Sequence, residues 1–134
     1  MNPPNNTVLV IDDSPFVLEV VRDALEARDY VVETSDAPLE YERLLELHNP
    51  AALILDIEMP HLDGISLLKL IRRKHQHTCV VLLFSDRPRA ELSAVVRTSG
   101  ADGGAIKTPD CGELLAVLDS VMRGRQRTRP TESH

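Results

Sequence analysis

The sequence predicts an α/β fold, a doubly wound parallel sheet of five strands joined by five helices in (βα)5 order. Three observations predict it. Five short apolar runs punctuate the chain, at 8–11, 30–32, 52–55, 79–84 and 104–106. Three of these runs are continuous rather than alternating, as strands covered on both faces are. The segments between them carry helical period, and strictly alternating strands and helices imply right-handed crossovers.

The elements follow in order. After the run at 8–11, Ser14 is a helix cap and Pro15 suits the first helical position. Val17, Val20, Val21, Ala24 and Leu25 then repeat at i, i+3, i+4, i+7 and i+8, one face of a first helix. The second strand is the run at 30–32. A second helix starts at Pro38, passes through Leu44, Leu45 and His48, and must stop before Pro50. The run at 52–55 is the third strand. A third helix holds Ile65, Leu68 and Ile71 and ends in Arg72, Arg73 and Lys74, cations that suit the negative end of its dipole. The fourth strand, 79–84, leads to a helix with Leu92, Val95 and Val96 that stops at Gly100. The fifth strand, 104–106, leads to a helix with Leu114, Leu118, Val121 and Met122. One domain is expected over 7–123, with an extension at 1–6 and a basic, disordered tail at 124–134.

Composition narrows the function. The 134 residues are 43% hydrophobic and 27% charged, which excludes disorder for most of the chain and suits a single globular domain. No apolar run approaches the ~20 residues of a membrane span, and residues 1–7 carry no signal-peptide pattern. Cys79 and Cys111 form no CxxC, which fits a reducing, cytoplasmic setting and excludes a disulfide or zinc framework. The net charge is −6, yet 123–134 holds four arginines against one glutamate, so the rest of the chain is more acidic still. An acidic body argues against direct nucleic-acid binding. His61, His75 and His77 have no ligand spacing, and Cys111 reads as a small packing residue.

In an open parallel sheet, ligands sit beyond the carboxyl ends of the strands. Asp12 and Asp13 follow the first strand, Asp56 the third, Ser85 the fourth and Lys107 the fifth. Three carboxylates gathered there repel one another unless a cation joins them. With oxygen donors and no His or Cys, that cation is hard: Mg²⁺, Mn²⁺ or Ca²⁺. Three carboxylates, a divalent ion and Lys107 together are neutral. An added phosphoryl group would need new donors, and Lys107, the Ser85 hydroxyl and the metal can supply them.

This constellation resembles the receiver domain of two-component response regulators, the family of the chemotaxis receiver. The segments VLVIDDSP, LILDIEMPHLDG, LLFSD, TSGADGG and IKTP carry the likeness, which spans 7 to about 123. Asp56, Met59, Pro60, Asp63 and Gly64 stand at the family's spacing. The resemblance implies a flavodoxin-like sheet of order 2-1-3-4-5. It implies Asp56 as phosphoacceptor and Mg²⁺, with Mn²⁺ as substitute, on Asp12, Asp13, Asp56 and the Glu58 backbone carbonyl. Ser85 would be the switch hydroxyl and Lys107 the phosphoryl partner. Such a protein is a cytoplasmic signalling switch rather than an enzyme, beyond phosphorylating and dephosphorylating itself at Asp56. The implied donor is a histidine kinase or histidine phosphotransfer protein. Phe16, Leu18 and Pro60 are expected to contact it, with Phe16 and Leu18 off the buried face of the first helix. No output domain follows in this sequence, so output is expected through a protein partner; a dimer through the fourth helix, fifth strand and fifth helix is left open.

Three positions depart from the family pattern. Gly104 replaces the usual aromatic three residues before the lysine. Thr108 separates Lys107 from Pro109. Asp86, with Glu58, adds acid at the rim, from which slow uptake from small anionic donors is expected. Gly104 and Thr108 favour an alternative, a pseudo-receiver that acts as an interaction module without phosphorylation. A haloacid-dehalogenase-like hydrolase fits less well, because the acceptor block stands on the third strand and not the first.

Overall fold

In chain order the computed structural model has β1 (Thr7–Ile11), α1 (Pro15–Glu26), β2 (Val31–Ser35), a 3-10 turn (Pro38–Glu40), α2 (Tyr41–His48), β3 (Ala52–Asp56), α3 (Gly64–Lys74), β4 (Val80–Ser85), α4 (Arg89–Ser99), β5 (Gly103–Ile106) and α5 (Gly112–Thr128). The structure describes residues 5–60, 62–74 and 79–128; His61, His75, His77 and most of the expected extension lie outside them. All strand pairings are parallel, and the order is β2-β1-β3-β4-β5, as the resemblance implied.

The continuous apolar runs are explained by burial on both faces. Val8 and Val10 of β1, Ala52 and Ile54 of β3, and Leu82 and Phe84 of β4 enter one core layer, with Val21, Leu25, Leu114 and Leu118 of α1 and α5. Their neighbours Leu9, Ile11, Leu53, Leu55, Val81 and Leu83 enter the other, with α2, α3 and Leu92 of α4. Successive side chains in a strand point to opposite faces, so a strand between two helical layers needs an apolar residue at every position. Each large aliphatic side chain so buried stabilises the fold by roughly 1.5–3 kcal/mol.

Helix boundaries follow local chemistry. The Ser14 hydroxyl accepts from Val17 N at 3.2 Å and caps α1. Asn49 (φ 44) and Gly100 (φ 85) end α2 and α4 in the left-handed conformation, which asparagine and glycine adopt most readily. The second helix differs from expectation: Pro38 opens a 3-10 turn, and α2 begins at Tyr41. The second strand runs on through polar Glu33, Thr34 and Ser35, because β2 is an edge strand registered against β1 along its whole length. The tail boundary is also corrected. Helix α5 continues to Thr128, since Arg and Gln are good helix formers and one glycine costs only about 1 kcal/mol; residues 129–134 lie outside the described residues.

Leu18 is the clearest correction. It was expected on the outer face of α1, but it is 8% exposed and belongs to the core. The fully buried stripe is Leu18, Val21 and Leu25, with Val17, Val20 and Ala24 flanking it. Leu18 therefore anchors α1 to the sheet and has no side chain to offer a partner. Phe16 is 74% exposed, and Pro60 is exposed as well.

Candidate functional site

The strand order of the sheet reverses between β1 and β3, where open α/β sheets form their binding crevice. Asp12 leaves β1 there, and Asp56 ends β3. Both are almost fully buried, at 1% and 2% exposure, while Asp13 is exposed. One oxygen from each of the three carboxylates lies within 4.8 Å of the others.

Local hydrogen bonds aim these groups. Asp12 Oδ1 accepts from Ser14 N at 2.9 Å, so the turn that starts α1 also orients the acid. Asp56 Oδ1 accepts from Glu58 N at 3.0 Å, which folds the chain back around the carboxylate. That turn depends on Gly64, whose amide donates to Ile57 O at 3.0 Å. A Cβ on Gly64 would stand 2.4 Å from the Asp56 carbonyl oxygen, so only glycine allows this approach. Asp63 then caps α3, its two oxygens taking the amide and hydroxyl of Ser66 at 2.8 and 3.1 Å.

Lys107 enters from β5. Its amide donates to Ser85 O at 2.8 Å, and its Nζ lies 3.1 Å from Asp12 Oδ2 and 3.2 Å from Asp56 Oδ1. The ammonium also sits 5.4 Å from the centre of the Phe84 ring. Thr108 therefore does not displace the lysine from the acids. The contact with Asp12 Oδ2 is an ion pair, and among the described residues this buried oxygen has no hydrogen-bond partner. An orphaned, buried anionic oxygen beside two further carboxylates is what a hard divalent cation would satisfy. Asp12, Asp13 and Asp56 thus fit Mg²⁺.

The electrostatics agree. Burial, and then the charge of Asp12, push the Asp56 carboxyl up to about 6, against the opposing pull of Lys107 and the Glu58 amide. Burial draws Lys107 down, but the two carboxylates outweigh it and hold the ammonium above its ordinary range.

Ser85 is fully buried at the end of β4, and its hydroxyl accepts from Arg87 N at 2.9 Å. Arg87 makes a contact that sequence reasoning missed: its Nε donates to Glu58 Oε1 at 2.6 Å, joining the loop after β4 to the loop after β3. Glu58 is therefore not the uncompensated acid that was expected at the rim, since Arg87 offsets its charge; Asp86 is exposed. Also missed was Glu113, in the first turn of α5, which accepts from the Ile106 amide and from Arg89 of α4. Pairings between distant loops leave no spacing signal; the only hint was that Arg87 follows Ser85 by two residues, as Glu58 follows Asp56. Gly104 faces α4, where a Cβ would meet Val96 Cγ2 at 2.8 Å and Leu92 Cδ1 at 3.1 Å. The space an aromatic would need is filled by α4 itself. Cys111 is buried in the core, as its reading as a packing residue requires. No helix among the described residues is long and apolar enough to cross a membrane.

Comparison with known proteins bears on this site. The family model of the response regulator receiver domain matches residues 8–119. The response regulator MprA of Mycobacterium bovis is 31% identical over 130 residues, 94% of this chain and 53% of that protein. A protein-glutamate methylesterase/protein-glutamine glutaminase of Trichodesmium erythraeum is 29% identical over 90% of this chain and 35% of its own length. The chain thus spans between a third and somewhat over half of the curated relatives it matches. Among solved structures, the chemotaxis protein CheY4 of Vibrio cholerae superposes with a TM-score of 0.76 at 26% identity, over 88% of this chain and 99% of that one. The response regulator TrrA of Thermotoga maritima, solved in complex with Mg²⁺-BeF, has a TM-score of 0.76 at 24% identity over 87% and 98% of the two chains.

Proposed function

We propose, from the premise that this chain belongs to the response regulator receiver domain family, that it is a phosphoaccepting switch whose acceptor is Asp56. The observation that carries this reading is the convergence of Asp12, Asp13 and Asp56 within 4.8 Å, with Lys107 at 3.1 and 3.2 Å from two of them. Residues spanning 96 positions of sequence have no structural need to meet as three acids and one lysine.

Asp12, Asp13, Asp56 and the Glu58 carbonyl would hold Mg²⁺, which supplies charge neutralisation and alignment of the phosphoryl oxygens. The chain's own groups do the rest. Asp56 Oδ1 is engaged by Glu58 N and Lys107, which leaves Oδ2 as the attacking oxygen. A bond forms from Oδ2 to phosphorus as the phosphorus–nitrogen bond of a donor phosphohistidine breaks. The electron pair leaves with the donor imidazole, and the product is an aspartyl phosphate. Lys107 pairs with the new anionic oxygens, and the Ser85 hydroxyl is the donor for another. Several charge-assisted contacts made only in the phosphorylated state can approach the ~5.5 kcal/mol that moves a two-state equilibrium from 1:99 to 99:1.

The donor is a histidine kinase or histidine phosphotransfer protein. Exposed Phe16, beside Asp13, and exposed Pro60, beyond Asp56, are the docking residues that remain once Leu18 is assigned to the core. Output passes to a protein partner. Gly104 supports a second reading, an interaction module that signals without phosphorylation, because α4 already occupies the place of the usual aromatic.

Incubation with Mg²⁺ and acetyl phosphate separates the two. The first reading expects an intact-mass gain of one phosphoryl group that disappears in Asp56→Asn and in the presence of EDTA. No gain in the wild type, even on incubation long enough for slow uptake, together with no beryllofluoride binding, would leave the interaction module.

A further inference from the structure

We infer that Glu113 is a positioning residue for Lys107. The inference rests on the phosphoacceptor reading only for its meaning, since the geometry stands without it. In a parallel edge strand, successive amides point alternately toward the neighbouring strand and away from it. The Lys107 amide points inward and donates to Ser85 O at 2.8 Å. The Ile106 amide points to the open side of β5, where no further strand among the described residues receives it. Glu113 Oε2 accepts it at 2.6 Å. The backbone on which the Lys107 side chain is mounted is thus held from both sides, one residue apart.

The connection from β5 to α5 is built to bring Glu113 back to this point. Cys111 N donates to Thr108 O at 3.1 Å across a turn with Pro109 at its second position, where proline is favoured. Asp110 Oδ1 takes the Thr108 hydroxyl at 3.0 Å and the Gly112 amide at 2.9 Å. Cys111 adopts φ 55 with its side chain buried, which reverses the chain into α5. The other Glu113 oxygen is held by Arg89, from the first turn of α4. Arg89 and the Ile106 amide both keep the Glu113 carboxyl below its ordinary range, so it stays ionised as a strong acceptor. An acid in the first turn of a helix is often no more than a partner for the dipole. Here the carboxylate binds two other elements, and one of its contacts adjoins the lysine of the acceptor site.

Three proteins test the inference: wild type, Glu113→Ala, and Glu113→Gln, which keeps an oxygen for the Ile106 amide. Mg²⁺ affinity alone is measured by calorimetry, and beryllofluoride affinity in saturating Mg²⁺ by fluorine NMR. The Lys107 side-chain resonance is followed by NMR in the metal-free protein. Glu113→Ala should weaken beryllofluoride binding about tenfold, the scale of one lost charge-assisted contact. It should leave Mg²⁺ binding unchanged and move the Lys107 resonance, while Glu113→Gln stays near wild type in all three. Parallel loss of Mg²⁺ and beryllofluoride binding would mean general loosening and would overturn the inference. So would an unmoved Lys107 resonance in Glu113→Ala, or a Glu113→Gln as impaired as Glu113→Ala. A wild type that binds no beryllofluoride would defeat the phosphoacceptor reading instead, and the Lys107 resonance would then decide the role of Glu113.

Discussion

Asp56 is a carboxylate held in a place that disfavours its own charge. Burial and the neighbouring Asp12 raise its folded-state value to about 6, from 3.8 for an ordinary aspartate. Between those two values the folded protein binds more protons than the unfolded chain, so stability must fall as pH rises. The contribution of Asp56 is present in full below pH 3.8 and is lost as pH passes about 6. Its size is at most about 3 kcal/mol, from two units at 1.36 kcal/mol each. Lys107 stays charged throughout this window and adds no slope. Urea unfolding in EDTA at pH 4, 5, 6 and 7 should therefore show wild type losing stability relative to Asp56→Asn across that range. Parallel profiles for the two proteins would show that the carboxylate is not strained. The acid itself was legible in the sequence, because a charge directly after four apolar strand residues is costly without a purpose. That Lys107 would reach Asp56 Oδ1 on one side and Asp12 Oδ2 on the other is not legible, since rotamers are chosen by the packed site.

At the scale of elements, α4 and β5 pack unusually closely because Gly104 has no side chain. Adding one methyl group there puts it 2.8 Å from Val96 Cγ2 and 3.1 Å from Leu92 Cδ1. Overpacking of this kind costs roughly 1–3 kcal/mol. Removing a glycine returns only about 0.4–1 kcal/mol through the unfolded chain. The clash should win, and Gly104→Ala should lower stability by about 1 kcal/mol. If Val96 is the obstacle, Gly104→Ala combined with Val96→Ala should lose less than the two single variants together, by at least ~0.5 kcal/mol in a double-mutant cycle. Strict additivity would place the strain elsewhere. The element boundaries were mostly readable from local signals such as Ser14, the required stop before Pro50, and Gly100. The phase of α1 was not. Val21 and Leu25 fit a stripe through Val17 or one through Leu18 equally well, and only docking against the sheet selects the second. The glycine at 104 was visible, but that Leu92 and Val96 fill its space was not, because helix-to-strand distance has no counterpart in spacing.

Across the whole molecule, the two edges of the sheet are treated differently. At the amino ends of the strands the polar groups are tied off. Asp102 Oδ2 accepts from Val81 N at 2.8 Å and from Arg72 at 2.7 Å, and Tyr30 and Arg28 both donate to Asp119 of α5, at 2.6 and 2.5 Å. At the carboxyl ends, two buried acids share one lysine and one oxygen goes without a hydrogen bond. The first edge holds the fold together, and the second accepts strain in return for a site. That division was foreseeable from topology, because Asp12, Asp56, Ser85 and Lys107 all follow strands, while the ties at the other edge join residues 21 to 91 positions apart with no shared motif. It yields a paired prediction. Asp102→Ala leaves the amide of buried Val81 without its side-chain partner and should cost about 1–3 kcal/mol, with Arg72 adding little because that ion pair is partly exposed. Its Mg²⁺ and beryllofluoride affinities should match wild type. Asp12→Asn should do the reverse: it relieves the repulsion on Asp56, so the metal-free protein should be no less stable at pH 7, yet Mg²⁺ binding should be lost. Denaturant unfolding in EDTA, set beside Mg²⁺ titrations of the same two variants, checks both halves. If either substitution moved stability and affinity down together, the edges would be one cooperative unit, and the separation of scaffold from site would be wrong.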